Sequence, residues 1–262
     1  MKNIVITGSS SGFGEDAAKV FSDAGYRVWA TMRDTTERNA AVKKALESYS
    51  SKISVVEMDV KDDNSVKDAF CDIFKEIDEV DVLINNAGIM YTGITEGFSI
   101  AQAHEQMNTN YYGAIRTTQA VLPNMRKARN GLIINVSSIA GRIAAPYFGT
   151  YCATKFALEA YSQSLRYELA PCGIDIALVE PGPFSTGLFG AIKQPERAEV
   201  VNSYGELKNI PDALFQGFGE MLSTGVFPDP KLVVDAYLSL AEAEPGSRPI
   251  RTQVGVSWGV DE

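Results

Sequence analysis

Tyr151 and Lys155 are the residues of this chain best placed to do proton chemistry. Their spacing of four predicts one face of a helix, in the first turns of a helical stretch over 152–170. A free tyrosine has a pKa near ~10, too high for efficient proton transfer at neutral pH. An ammonium about 4 Å away favours the phenolate by up to about 4 kcal/mol at an effective dielectric of roughly 20. That lowers the pKa by as much as roughly three units, so the expectation is a tyrosine activated by its lysine and serving as general acid–base. The pair alone carries little weight. With 11 Tyr and 13 Lys in 262 residues, chance supplies roughly half such a match, and Tyr204 and Lys208 form a second one.

Other residues point to a bound dinucleotide. An apolar run, Ile4-Val5-Ile6, leads into Thr7-Gly8-Ser9-Ser10-Ser11-Gly12-Phe13-Gly14. Glycines at Gly-x-x-x-Gly-x-Gly spacing let the chain turn sharply and let a pyrophosphate approach the backbone, where a helix N-terminus offers free N–H groups. Gly8, Ser10, Ser11, Gly12, Phe13 and Gly14 are therefore candidate cofactor contacts. The same loop spells Gly-x-Ser-x-Gly, the nucleophile elbow of a hydrolase fold that needs a late base histidine. The single histidine, His104, lies mid-chain, which argues against that chemistry. At the end of the second apolar run, Thr31 stands where an acid would bind ribose hydroxyls, and Arg33 follows, as suits a 2′-phosphate. NADP(H) is therefore expected in preference to NAD(H), with Ser10 or Ser11 as extra phosphate contacts and Asp34 a competing charge. Asp59-Val60 and Asn86-Ala87-Gly88 follow further runs and are expected against adenine and ribose.

The elements that must position these residues alternate. Strands are expected near 3–7, 27–31, 53–58, 81–85, 131–136, 174–180 and 250–255. Helices are expected near 13–24, 38–49, 63–77, 100–126, 152–170 and 230–242. Continuous apolar strands such as Val80-Asp81-Val82-Leu83-Ile84 suit a parallel sheet covered on both faces. The fold class is thus α/β, a doubly wound parallel sheet of about seven strands. No repeat or linker divides residues 1–262, so one domain is expected.

Composition narrows the class. Hydrophobic content of 45% and charged content of 22% are ordinary for a soluble domain. A net charge of −9 with no basic run argues against nucleic acid or anionic membranes as partners. No apolar run reaches the ~20 residues that span a bilayer, and the immediate first strand leaves no room for a signal peptide. Cys71, Cys152 and Cys172 lack metal-ligand spacing and are expected as buried or half-buried free thiols. His104 is expected on a helix surface. The reading is a cytoplasmic, soluble, metal-free protein.

Taken together, Thr7-Gly-x-x-x-Gly-x-Gly14, Asn85-Asn-Ala-Gly88, Ser138, Tyr151-x-x-x-Lys155 and Pro181-Gly182 resemble the short-chain dehydrogenase/reductase family, in matching order across essentially the whole chain. Tyr204–Lys208 has no such context. The resemblance implies that Ser138 hydrogen-bonds the substrate oxygen and Tyr151 donates the proton. Lys155 would hold the nicotinamide ribose and lower the tyrosine pKa, and Asn110 would support a water-linked proton relay. Pro181, Gly182, Phe184 and Thr186 would contact the nicotinamide amide, although Pro183 removes one backbone donor. Residues 187–228 resemble the family's variable substrate lid. Its Leu188, Phe189, Phe215, Phe218, Met221, Leu222 and Phe227, with Tyr91, Ile94 and Tyr147, suggest a hydrophobic carbonyl or alcohol substrate.

Tyr151-Cys-Ala-Thr-Lys-Phe-Ala-Leu-Glu159 and Ala30-Thr-Met-Arg33 are similar to the hydroxysteroid and retinol dehydrogenase branch, features shared with bacterial ketoreductases. The implied activity is a carbonyl reductase or alcohol dehydrogenase. Two alternatives are a non-catalytic NADP-binding sensor or scaffold, which would be expected to lose part of the catalytic set, and an epimerase or dehydratase, whose chains are longer. The 152–170 helix is apolar on several faces, so a homodimer or homotetramer through it is expected.

Overall fold

The computed structural model describes residues 1–223, 228–257 and 259, without the side chains of Phe189 and residues 221–223. The strands are β1 (Asn3–Thr7), β2 (Arg27–Met32), β3 (Ile53–Glu57), β4 (Val82–Asn85), β5 (Gly131–Val136), β6 (Ile174–Pro181) and β7 (Arg251–Val254). The helices are α1 (Gly12–Asp23), α2 (Ala40–Tyr49), α3 (Asp63–Glu76), α4 (Ile100–Met107), α5 (Gly113–Ala128), α6 (Gly149–Leu169), α7 (Gly187–Gly190), α8 (Ala198–Ser203), α9 (Ile210–Ser223) and α10 (Lys231–Glu242).

All seven strands are parallel, in the order β3-β2-β1-β4-β5-β6-β7. This is the doubly wound sheet expected from the alternating pattern. Successive side chains on a strand point to opposite faces, and β1 shows why its run is apolar throughout. Ile4 and Ile6 join one core with Phe21 of α1 and Tyr237 of α10, whereas Val5 joins the other with Phe70 of α3 and Met125 of α5. Strand order reverses between β1 and β4, and the crevice beyond their carboxyl ends is where ligands bind in such sheets.

The helix expected over 100–126 is two. Between α4 and α5, residues Asn108–Tyr112 form a π-helical turn, a wide turn common at functional sites. It carries Asn110.

A buried polar network fixes α5 and α6 to the sheet. Asn85 and Asn135 are partners in register. Asn85 Nδ2 donates to Asn135 Oδ1 at 2.8 Å, Thr117 Oγ1 donates to Asn85 Oδ1 at 2.6 Å, and Asn135 Nδ2 donates to Ser162 Oγ at 2.8 Å. Satisfied polar groups in a dry interior specify one arrangement, and here they set where α6 presents Tyr151.

One expectation changes. Cys71 is exposed rather than buried, because α3 turns that face to solvent. On α6, Tyr151, Lys155, Leu158 and Ser162 face inward, while Phe156 (44% exposed) and Tyr167 (82%) face out. His104 is exposed, as expected. Among the described residues no helix is long and apolar enough to cross a membrane, and no cluster of three metal-ligating side chains occurs.

Candidate active site

A cleft of about 630 Å³ opens at the carboxyl ends of the strands. Its floor is the loop between β1 and α1. Gly8 and Gly12 have φ of +68° and +56°, a region that favours glycine. Ser11, the N-cap of α1, makes no side-chain cap bond, so the first N–H groups of α1 remain without a capping side chain. Thr7, which the motif reading passed over as a site residue, ties this loop to the next. Its Oγ1 accepts from the N–H groups of Asn86 (3.0 Å) and Ala87 (2.9 Å). Asn86 Nδ2 in turn donates to the carbonyls of Thr7 (2.9 Å) and Gly8 (3.2 Å). Asn86 lines the cleft, but its amide braces the glycine loop.

Gly14 shows how tightly this brace is built. A Cβ there would lie 2.4 Å from Gly8 O and 2.5 Å from Asn86 Nδ2. Overpacking of this kind costs about 1–3 kcal/mol. Gly14→Ala is therefore expected to lower the melting temperature by at least ~2 °C for a chain of this size, measured by thermal denaturation. An unchanged midpoint would show that the loop yields freely.

Tyr151 and Lys155 of α6 and Ser138 after β5 line the cleft, whereas Asn110, on the π-helical turn, is buried and does not line it. Ser138 follows β5 and caps a short 3-10 turn, its Oγ accepting from Ala140 N at 3.1 Å. Ser138 and Tyr151 line the cleft together, and Ser138 Oγ donates to Pro181 O at 3.4 Å. Lys155 Nζ donates to Val136 O at 2.8 Å and sits 5.6 Å from the centroid of the Tyr151 ring. Asn110 Oδ1 accepts from Ile89 N at 2.8 Å, and its Nδ2 donates to Ile89 O and Thr154 Oγ1. A Cβ on Gly88 would lie 3.5 Å from Asn110 Oδ1 and 4.0 Å from Lys155 Nζ, so glycine keeps the space between them open.

The electrostatics differ from the sequence expectation. Burial pushes the Tyr151 phenol up to about 12, against the opposing effect of the Ser138 hydroxyl. Burial also pulls Lys155 down to about 8, with the Glu159 carboxylate acting the other way. Desolvation disfavours the charged form of each, and the ammonium is engaged by Val136 O rather than by the phenol. At neutral pH the tyrosine is therefore the protonated donor.

On the side of β2, Thr31 is buried and donates to Ile6 O at 3.2 Å. The side chain lining the cleft is its neighbour, Met32. Adjacent strand residues face opposite ways, so Met32 occupies the position that the motif reading gave to Thr31. Arg33 lines the cleft, 47% exposed and 3.8 Å from Asp59. Arg38, which the sequence placed at the start of a helix and no motif singled out, lies in the turn before α2 and is exposed on the same wall. Gly8, Ser10, Ser11, Gly12, Phe13, Asp59, Val60, Ala87 and Gly88 also line the cleft. Pro181, Gly182, Phe184 and Thr186 form the wall opposite, with the Thr186 side chain beside Gly12. The ring of Phe184 belongs to the core, edge-on to Phe13 at 5.7 Å.

Of the substrate-side candidates, Tyr91, Leu188 and Phe218 line the cleft. Ile94 and Tyr147 do not; Ile94 is buried in the loop after β4. Phe215 packs against Phe148, which does line the cleft. The Phe189, Met221, Leu222 and Phe227 side chains lie outside the described residues. Among residues sequence reasoning missed is a charged group at the mouth. Tyr91 OH donates to Glu105, Lys193 Nζ donates to Glu105 Oε2 at 3.2 Å, and Lys61 lies 3.8 Å from the same carboxylate. The Tyr91 hydrogen bond holds Glu105 below its ordinary value despite partial burial.

A family model described as short chain dehydrogenase matches residues 2–197. The chain belongs to the short-chain dehydrogenase/reductase family. It is 34% identical over 261 residues to human retinol dehydrogenase 8, covering 98% of this chain and 82% of that one. It is 43% identical over 184 residues to a 3-ketodihydrosphingosine reductase of Bacteroides thetaiotaomicron, covering 70% of this chain and 64% of the reductase. A solved short-chain dehydrogenase from Streptomyces avermitilis superposes with a TM-score of 0.82 at 31% identity, covering 97% of this chain and 89% of that chain. More distant members share the fold at a TM-score of 0.80: a serine dehydrogenase complexed with NADP+ (22% identical) and a Burkholderia phymatum protein in complex with NAD (23%). The chain is thus an oxidoreductase of this family.

Proposed function

We propose that this short-chain dehydrogenase/reductase is an NADPH-preferring carbonyl reductase that interconverts a hydrophobic ketone or aldehyde with its alcohol. The observation that carries the reading is the meeting of Tyr151, Ser138, Lys155 and the glycine loop in one cleft. The residues fit a dinucleotide: the uncapped start of α1 and Gly12 suit a pyrophosphate, and Gly88 leaves room beside Asn110 and Lys155. The Gly8–Gly14 loop would hold the phosphates, Arg33 and Arg38 the 2′-phosphate, Asp59, Val60, Ala87 and Gly88 the adenine and ribose, Lys155 the nicotinamide ribose, and the 181–186 loop the amide. When bound, the cofactor supplies the hydride. Ser138 donates a hydrogen bond to the carbonyl oxygen and steadies its developing charge. Tyr151 gives that oxygen a proton. Asn110, held by Ile89 and Thr154, keeps the π turn in place beside Lys155.

Met32 in place of an acid, with two arginines on the wall, supports NADPH over NADH. Arg33→Ala is expected to raise the KM for NADPH about 10- to 100-fold, the loss of a charged contact worth about 1.5–3 kcal/mol. The KM for NADH should move little. Equal effects on both would remove the case for phosphate recognition.

Apolar Met90, Ile143, Phe148, Leu188 and Phe218 on the cleft wall support a hydrophobic substrate, with residues 187–228 as its lid. The outward face of α6, with Ala153, Phe156, Ala160 and Tyr167 exposed, supports a homodimer or homotetramer. The direct test is oxidation of NADPH or NADH with a panel of small, aryl and long-chain ketones. Turnover of none, with cofactor bound, would overturn the reading.

A further inference from the structure

Behind the cleft lies a group of charges that the proposed reaction does not use. Glu180 is the penultimate residue of the fully buried β6 and is 1% exposed; Glu159 lies one turn beyond Lys155 on α6 and is 3% exposed. Both carboxyls reach one nitrogen. Arg251 Nε, on β7, is 3.0 Å from Glu159 Oε2 and 3.0 Å from Glu180 Oε1. Its single N–H is directed at Glu159. Arg142, on the turn after Ser138, reaches Glu180 only at 3.6 Å. Glu159 Oε1 and Glu180 Oε1 are thereby left buried without a protein hydrogen-bond donor, as is the neutral Ser137 hydroxyl nearby. A Cβ on Gly141 would touch both Ser137 Oγ (2.7 Å) and Glu159 Cγ (3.0 Å), so the site is closed on that side.

Two adjacent buried carboxyl groups cannot both ionise cheaply, and a proton held between them satisfies both orphaned oxygens. We propose that Glu159 and Glu180 share one proton and act as positioning residues, setting the charge beneath Lys155 and anchoring the root of the Pro181-Gly182 loop. The charged groups facing the pair are Lys155 from α6, on the Glu159 side, and Arg142 from the turn after β5 and Arg251 from β7, on the Glu180 side. Burial and the neighbouring Glu159 push the Glu180 carboxyl up to about 7, with both arginines acting against them. Below that pH the pair carries one negative charge; above it, two. The second charge favours the Lys155 ammonium, whose own value burial has pulled down to about 8. Release of the shared proton thus keeps Lys155 charged into the alkaline range. The ribose-holding role given to Lys155 rests on the function proposed above; the shared proton does not.

The test therefore has two arms. In thermal denaturation without cofactor or substrate, a carboxyl raised on folding stabilises below its unfolded value and loses that contribution as pH rises through the folded one. The wild-type midpoint should fall between about pH 5 and 8, with a component of about one proton that Glu180→Gln removes, since glutamine supplies the bridging donor at every pH. In NADPH fluorescence titrations, Glu180→Gln should move the alkaline loss of binding to lower pH, weakening affinity by up to about tenfold at the pH where the curves separate most. Glu159→Gln should remove the same proton from the denaturation profile. An identical pH slope in wild type and either variant would overturn the shared proton. A normal denaturation difference with unshifted NADPH curves would overturn the coupling to Lys155. A merely structural ion pair would lower the midpoint by the same amount at every pH.

Discussion

Tyr151→Phe is expected to lose reduction of every ketone by a factor of about 10² to 10⁴, the usual contribution of a positioned general acid, while NADPH binding persists. The substitution removes one hydroxyl from a buried ring and leaves the ring's packing on α6 intact. Ser138, on the same cleft, keeps its bond from Ala140 N, so the local turn survives. Burial holds the phenol protonated across the neutral range, so in the wild type the donor is ready without prior activation. The reverse reaction needs the phenolate and should speed up as pH rises. Stopped-flow reduction alongside NADPH fluorescence titration separates the two effects. Retained turnover in the variant would sink the assignment of Tyr151.

Lys155→Met should abolish turnover as well, yet stabilise the protein at pH 7. The ammonium is buried, and its pKa falls from 10.5 to about 8 on folding. That gap corresponds to about 3 kcal/mol of cost carried wherever the lysine is charged in both states. The sign follows from linkage. A depressed lysine gives a fold that is most stable above the unfolded value and loses that stability as pH falls through the folded one. Methionine is of similar length and carries no charge, although it leaves Val136 O without its donor, a loss of about 1 kcal/mol or more. The net expectation at pH 7 is a melting temperature higher by about 2–6 °C, shrinking towards zero between pH 8 and 10.5. A variant less stable than wild type at pH 7 would mean that the bond to Val136 O outweighs the buried charge.

The contrast between these two residues shows what was legible in the sequence. The pairing of Tyr151 with Lys155, the glycine loop and the strand order follow from local spacing and apolar periodicity, which the chain displays directly. The direction of the Tyr151 shift does not. It depends on burial, which depends on how α6 sits on the sheet, and that is set by Asn85, Asn135 and Ser162 from distant segments. The placing of Thr31 at the position of the ribose-binding acid went astray for a smaller reason. Alternation along a strand reverses with a one-residue error in register, and nothing in Ala30-Thr-Met-Arg33 says which side chain meets the cleft. Glu159 and Glu180 stand 21 positions apart, on a helix and a strand, so no motif could join them to each other or to Arg251.

The segment after the last cleft loop has a further consequence. Its first part is fastened to the body: Thr92 N donates to Lys193 O, Gln102 Nε2 to Gln194 O, and Tyr204 OH to Glu96 Oε2. Pro195 fills the space that a Cβ on Gly93 or Gly97 would need. Beyond Gly205 the chain makes α9, whose Phe218 reaches the cleft. Phe218 therefore stands on a helix outside the fastened stretch, and it can be exchanged without touching either those contacts or the proton-transfer residues.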